Sequence, residues 1–286
     1  MPNNLLNDLA SASPNRERFM KKMNAASATS GGGSPTGAAE AVTETDILNF
    51  ALNLEYLEAE FYTYAVEGKS ITSFGIGIDG KANGENPISG GETTGGLRVA
   101  FDNNEIFSLD IAAQIGSDER AHVALLRSAL GTAAVAKPNI NLNALGIGFG
   151  SQTDFLTIAR ILEDIGVTAY TGAAGMLKTP GVITTAARLL AAEAEHAGSI
   201  RTQVAKLQIA SAAVDGADLI PPPRGKGTQY LSINLSNGLA ATRTAGQVLY
   251  LAFGMKANSR QGGFFPTGLN GKITMSDVPA TESNLA

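Results

Sequence analysis

Ile47, Leu48, Ala51, Leu54, Leu57 and Phe61 recur every three or four positions, the period of a helix with one buried face. Thr43-Glu44-Thr45-Asp46 just before them offers hydroxyl caps and first-turn acids, so a helix is predicted from there to Gly68. Residues 71–96 change to glycines, an Asn-Gly and a proline, which predicts a long irregular connection outside the helices that covers or lines something. Helical spacing returns over 101–130, with Gly131 as its C-terminal cap. A second connection, 133–151, holds Pro138 and Gly146-Ile147-Gly148-Phe149-Gly150. Thr153-Asp154 reads as the cap of a third helix running through Ile158, Ile161, Leu162, Ile165 and Tyr170 to Leu177. Pro180-Gly181 breaks it, and a fourth helix is predicted over 183–209.

After Pro221-Pro222-Pro223, Leu231, Ile233 and Leu235 alternate with Ser232, Asn234 and Ser236, which fits either a short strand or extended chain. Thr242 or Thr244 can cap a fifth, short helix over 248–253, and the aromatic segment Gly262-Gly263-Phe264-Phe265-Pro266 is expected to pack back onto the helices. The reading is all-α: an antiparallel four-helix bundle with a crossover, plus a short fifth helix and an irregular C-terminal extension. Its divisions are a flexible arm over 1–42, the bundle over 43–211 and the extension over 212–286.

Composition narrows the chemistry. The 286 residues carry a net charge of −5, and basic residues cluster only in Arg16-Glu17-Arg18 and Lys21-Lys22, so nucleic acid is not an expected partner. No apolar run approaches the ~20 residues of a membrane span. Nothing like an apolar signal core follows Arg16, so the expected location is cytoplasmic, with export as the alternative. With no cysteine, disulfides and thiolate chemistry are excluded, and any metal must take oxygen and imidazole ligands. The lack of tryptophan and the abundance of alanine and glycine point to closely packed helices; Gly116, Gly166, Gly172 and Gly175 are read as points of close approach.

Candidate chemistry centres on the chain's two histidines. Each lies three residues after a glutamate in a predicted helix, as Glu119-Arg120-Ala121-His122 and Glu193-Ala194-Glu195-His196, so carboxylate and imidazole share a face one turn apart. One Glu-x-x-His is ordinarily a surface coincidence; two that use every histidine are not. They belong to an internal repeat. Ala51, Leu54, Glu55, Tyr62, Thr63 and Ala65 fall over Ala159, Leu162, Glu163, Tyr170, Thr171 and Ala173, and the Glu-x-x-His helices align through Leu126-Arg127 over Ile200-Arg201. Two such helix pairs about an approximate two-fold would gather Glu55, Glu119, His122, Glu163, Glu193 and His196. Four carboxylates and two imidazoles suit two carboxylate-bridged divalent ions, iron or manganese first and zinc also possible. Without metal, that many buried acids would be costly. Glu58 rivals Glu55 one turn on, but it aligns with Gly166, so the repeat favours Glu55. Tyr62 and Tyr170 are read either as donors to the ligand carboxylates or as core aromatics with a polar tip. Arg127 and Arg201 are read as surface or salt-bridge residues.

At these residues the chain resembles the ferritin-like family that includes the desiccation-related proteins, through 44–206 and, less specifically, through the 262–271 segment. That resemblance implies a ferritin-like bundle with a di-iron or di-manganese site. The resemblance does not define a reaction; the first reading of the ligand set is redox chemistry on a small oxidant, O2 or H2O2, of the ferroxidase, peroxidase or manganese-catalase kind. The alternative is a structural or stress-protective protein that self-assembles as a homo-oligomer and keeps metal only for stability. Iron storage in a hollow shell fits the long loops and the extension less well. Many members carry a twin-arginine export signal, and Arg16-Glu17-Arg18-Phe19 resembles its remnant without the paired arginines.

Overall fold

The computed structural model describes residues 41–82, 86–102, 107–223 and 225–285; the predicted arm and the Arg16–Lys22 cluster lie outside them, apart from the arm's last two residues. Among the described residues the main elements are α1 Glu44–Glu67, α2 Ala112–Leu130, α3 Gln152–Ala174, α4 Pro180–Lys206 and α5 Ala245–Ala252. A π-helical turn, Phe107–Ile111, leads into α2. The fold is all-α. α1 packs along α2 and α3 along α4, α1 meets α3 more sparsely, and α5 lies against α3.

Local chemistry sets the helix ends, not always where the pattern put them. Thr43 and Asp46 form a reciprocal capping box at the start of α1, and Gly68 closes it at φ 69°, where a side chain would be strained. The α3 cap is Ser151, whose hydroxyl accepts from the Asp154 amide at 3.1 Å, rather than Thr153. Pro180 starts α4 instead of standing before it, because the first helical position needs no amide donor. That helix ends at Lys206, short of 209. Thr244, not Thr242, caps α5, with Gln247 completing the box.

The two long connections hold each other. β1 Gly80–Lys81 pairs antiparallel with β2 Pro87–Ile88, and β3 Thr93–Thr94 runs parallel to β4 Ile140–Asn141 from the second connection. Both are pinned to α1 through buried Glu60, which accepts from Ser70 Oγ and Thr93 Oγ1 at 2.9 Å each and lies 3.3 Å from Lys137 Nζ. The alternating patch at 231–235 is not a strand. Leu231 and Leu235 are exposed, and only an isolated bridge joins Ile233 to Ala240.

Beyond α4 the chain is fastened to the bundle by arginines. Arg160 of α3 and Arg201 of α4 are each 1% exposed. Arg201 reaches Asp164 and Arg160 reaches Asp218, each at 2.6 Å. Arg201 also donates to the Leu219 and Tyr230 carbonyls, so it is not a surface residue. Arg243 grips Asp215 at 2.6 Å, and its carbonyl crosses α3 where Gly172 leaves room, since a Cβ there would stand 1.9 Å from that oxygen. Gly116 likewise admits Tyr62 of α1, whereas Gly175 has nothing near it and marks no close approach. Phe264 and Phe265 are buried, and Asn53 of α1 donates to the Asn270 carbonyl at 2.9 Å.

Candidate metal centre

Each of the four long helices sends acids or imidazoles into one point of the core: Glu55 and Glu58 from α1, Glu119 and His122 from α2, Glu163 from α3, Glu193 and His196 from α4. All seven are buried. The i,i+3 spacing brings His122 Nδ1 to 3.3 Å from Glu119 Oε2 on its own helix, and packing brings the same nitrogen to 3.2 Å from Glu55 Oε2 and 3.7 Å from Glu193 Oε1. His196 Nδ1 crosses to α2 and α3, 2.9 Å from Glu119 Oε1 and 3.4 Å from Glu163 Oε2. The two rings stack with centroids 6.0 Å apart.

Three overlapping groups offer ligand atoms within 4.8 Å of one another: Glu55, Glu119, His122 and Glu193; Glu119, Glu163 and His196; Glu58, Glu163 and Glu193. Glu119, Glu163 and Glu193 each belong to two groups, the arrangement that carboxylates bridging two ions require. The donor set is oxygen and imidazole throughout, which suits iron, manganese or zinc. Both oxygens of Glu119, Glu163 and Glu193, with His196 Nδ1, are buried without a hydrogen-bond partner; the imidazole's 2.9 Å approach to Glu119 is close but not aligned. So many unsatisfied buried acceptors around two imidazoles are compatible with a divalent metal site.

Electrostatics within the protein alone agree. Burial, then the Glu55 charge, pushes Glu119 up to about 7 against contacts from both histidines. Burial and neighbouring carboxylates hold Glu193 and Glu58 well above the usual carboxylate range. Burial alone would lower the histidines, but Glu119 and Glu55 lift His122 to about 11, and Glu119 and Glu163 lift His196 to about 12. Protons do in part what cations would do better.

The structure brings together all six residues read from the motifs and adds Glu58, which the repeat set aside. Its counterpart Gly166 explains why. A Cβ at 166 would lie 2.2 Å from Glu193 Oε2 and 3.4 Å from Glu58 Oε1, so the glycine leaves the space those carboxylates occupy. The Gly166→Ala change is therefore expected to cut metal content well below wild type. In the metal-free protein the about 1 kcal/mol by which alanine favours a helix over glycine offsets part of the cost of moving Glu193, so the melting temperature should change far less than the metal content. Wild-type metal content by mass spectrometry would show that the crowding is relieved elsewhere.

Surrounding groups orient the site. Tyr170 donates to Glu55 Oε1, one of the two roles read for it. Its repeat partner Tyr62 is fully buried with an unpartnered hydroxyl, and after burial the Glu163 charge is the main influence holding that phenol up. Asp118 escaped the sequence reading. Its Oδ2 lies 3.4 Å from His196 Nε2 and its side chain is 42% exposed, so it links one imidazole to solvent and favours presentation of Nδ1 to the carboxylates. The repeat gives no signal for it, since Ala192 stands at the matching place. Arg127 lies off the site, bonded to Tyr56 and to the Asp79 carbonyl.

The family described as "Ferritin-like domain" matches residues 43–206, more than half of the chain and all of the helices that build this centre. This chain belongs to the ferritin-like family. A desiccation-related protein, PCC13-62, from Craterostigma plantagineum is 27% identical to this ferritin-like chain over 176 residues, 56% of this chain and 52% of that one. The likeness thus spans about half the length of that relative. No described helix of this ferritin-like chain is long and apolar enough to cross a membrane.

Proposed function

We propose that the chain holds two divalent ions, iron or manganese, through Glu55, Glu119, His122, Glu163, Glu193 and His196 with Glu58 as a seventh donor, and that it turns over O2 or peroxide in stress protection. The observation that carries this reading is the set of unpartnered buried carboxylate oxygens facing two imidazoles. Iron or manganese bound there supplies redox chemistry; the chain supplies the rest. Glu119, Glu163 and Glu193 lie where each can be shared, Tyr170 steadies Glu55, and Asp118 offers His196 a polar route to solvent. Consumption of O2 or H2O2 by the metal-loaded wild type, absent from the metal-free protein, is the expected result. Full metal loading with neither oxidant consumed would move the weight to the second reading, a stress-protective protein stabilised by its metal, which the desiccation-related relative favours.

Proton balance gives a further expectation. At pH 7 both histidines of the metal-free protein hold their protons, at about 11 and about 12, and burial with the Glu55 charge raises Glu119 to about 7. Each imidazole must present a bare Nδ1 to bind, so filling the site expels at least these two protons, and Glu58 and Glu193 add to them. Affinity therefore rises with pH. Calorimetry in buffers of different ionisation enthalpy should show net proton release at pH 7; none would mean the histidines are not ligands.

A further inference from the structure

Two cavities run in from the surface and end on the same three residues, Leu54, Glu58 and Gly166. One, of about 550 Å³ counting its open mouth, passes between α1, α3 and α5 and opens beside the exposed Leu145 and Met255. The other, of about 510 Å³ on the same measure, runs between α1 and α3 past Ala51, Ala169 and Ala173 to Glu55 and Tyr170. Their walls are almost wholly aliphatic or aromatic, and among the described residues their only ionisable members are Glu55, Glu58 and the phenol of Tyr170, all at the metal-binding end. Neither histidine and no residue of α2 lines either one. The polar approach is elsewhere, where half-exposed Asp118 meets His196.

The site thus has one apolar side and one polar side. A solute entering along the aliphatic walls must give up its hydrogen bonds to water, at a cost of about 1–3 kcal/mol for each polar group left unpaired. Peroxide carries two such hydroxyls; dioxygen carries none. Gly166 lines both cavities, and the absence of a side chain there leaves them open to the Glu58 and Glu193 carboxylates.

We infer that these cavities are the entry path and resting site of dioxygen, delivered to the Glu58 side of the centre, while ions, protons and peroxide use the Asp118 side. The inference rests on the redox reading above for its purpose, but not for its test. Xenon is apolar and seeks dry apolar cavities. Wild-type crystals under xenon pressure are expected to show the atom between Leu54 and Gly166 with or without metal, and crystals of Leu54→Trp are expected to lack it. In the iron-loaded full chain, Leu54→Trp should slow the reaction with O2 about tenfold or more at unchanged metal content and leave the reaction with H2O2 at the wild-type rate. Should Leu54→Trp fail to fold or to load, Ala169→Phe narrows the α1–α3 cavity from the other helix and is expected to slow O2 by a smaller factor.

Xenon absent from the wild-type cavities overturns the inference whatever the reactivity. A wild-type O2 rate in the plugged protein, or equal slowing of both oxidants, overturns it as well. A wild-type chain that loads metal but reacts with neither oxidant contradicts the redox reading instead, and xenon occupancy alone then decides whether the cavities bind an apolar molecule.

Discussion

Adding Fe²⁺ or Mn²⁺ to the metal-free chain is expected to raise its melting temperature by several degrees, and changing His122→Ala together with His196→Ala is expected to remove most of that rise. Ions that bind only the folded state stabilise it by about 4 kcal/mol at a thousandfold excess over Kd. A domain of this size gains roughly 2–4 °C for each kcal/mol. The gain should depend on pH in a definite direction. Glu58 and Glu193 have folded pKa values raised above 4.5, so in the metal-free protein they cost stability increasingly as pH rises past that value. The histidines, raised from 6.5 to about 11 and about 12, give a stabilising contribution that is complete below about pH 6.5 and declines steadily as pH rises from there toward the folded values. Metal affinity meanwhile grows with pH as competing protons leave. The difference in melting temperature between loaded and metal-free protein is therefore expected to widen from pH 5 to pH 8. A double variant that still gains the wild-type shift would place the ions elsewhere.

Asp164→Ala is expected to be the most damaging single change outside the centre. Asp164 is buried between Arg201 at 2.6 Å and Arg160 at 3.5 Å, and its loss strips both guanidinium groups of that carboxylate. Removing one partner of a buried ion pair costs about 3–5 kcal/mol, because the remaining charge stays out of water. Arg201 also carries the Leu219 and Tyr230 carbonyls, so the damage should spread to the chain beyond α4, read as earlier proteolysis there. Asp164→Asn keeps a hydrogen-bond acceptor and should cost less. Urea unfolding of the two variants separates the cases, and a loss under about 1 kcal/mol for Asp164→Ala would mean Asp218 can compensate alone.

Much of this fold was legible because its helices state themselves twice, once in apolar period and once in capping chemistry, as Thr43 and Asp46 do for α1. The convergence of Glu119, His122, Glu193 and His196 was legible because i,i+3 spacing fixes a face and the repeat supplies a partner helix. Other features lay beyond a one-dimensional reading. Glu58 was set aside because the repeat matched it to a glycine, and a glycine in an alignment does not reveal that its vacant volume is filled from another helix. Asp118 and the α3 cap Ser151 act through contacts that ordinary polar residues make in only some places. Two-residue strands such as β3 and β4 have no period to detect, so the coupling of the two long connections was invisible. Arg201 read as a surface or salt-bridge residue; its burial depends on chain far along in sequence folding over it.

Anomalous diffraction from crystals of the full chain, loaded with iron or manganese and recorded at the metal edge, tests the central claim most directly. Two peaks among Glu55, Glu58, Glu119, His122, Glu163, Glu193 and His196 are the predicted result. Crystals of fully soaked protein with no peak there, or with peaks only at surface acids, would contradict it.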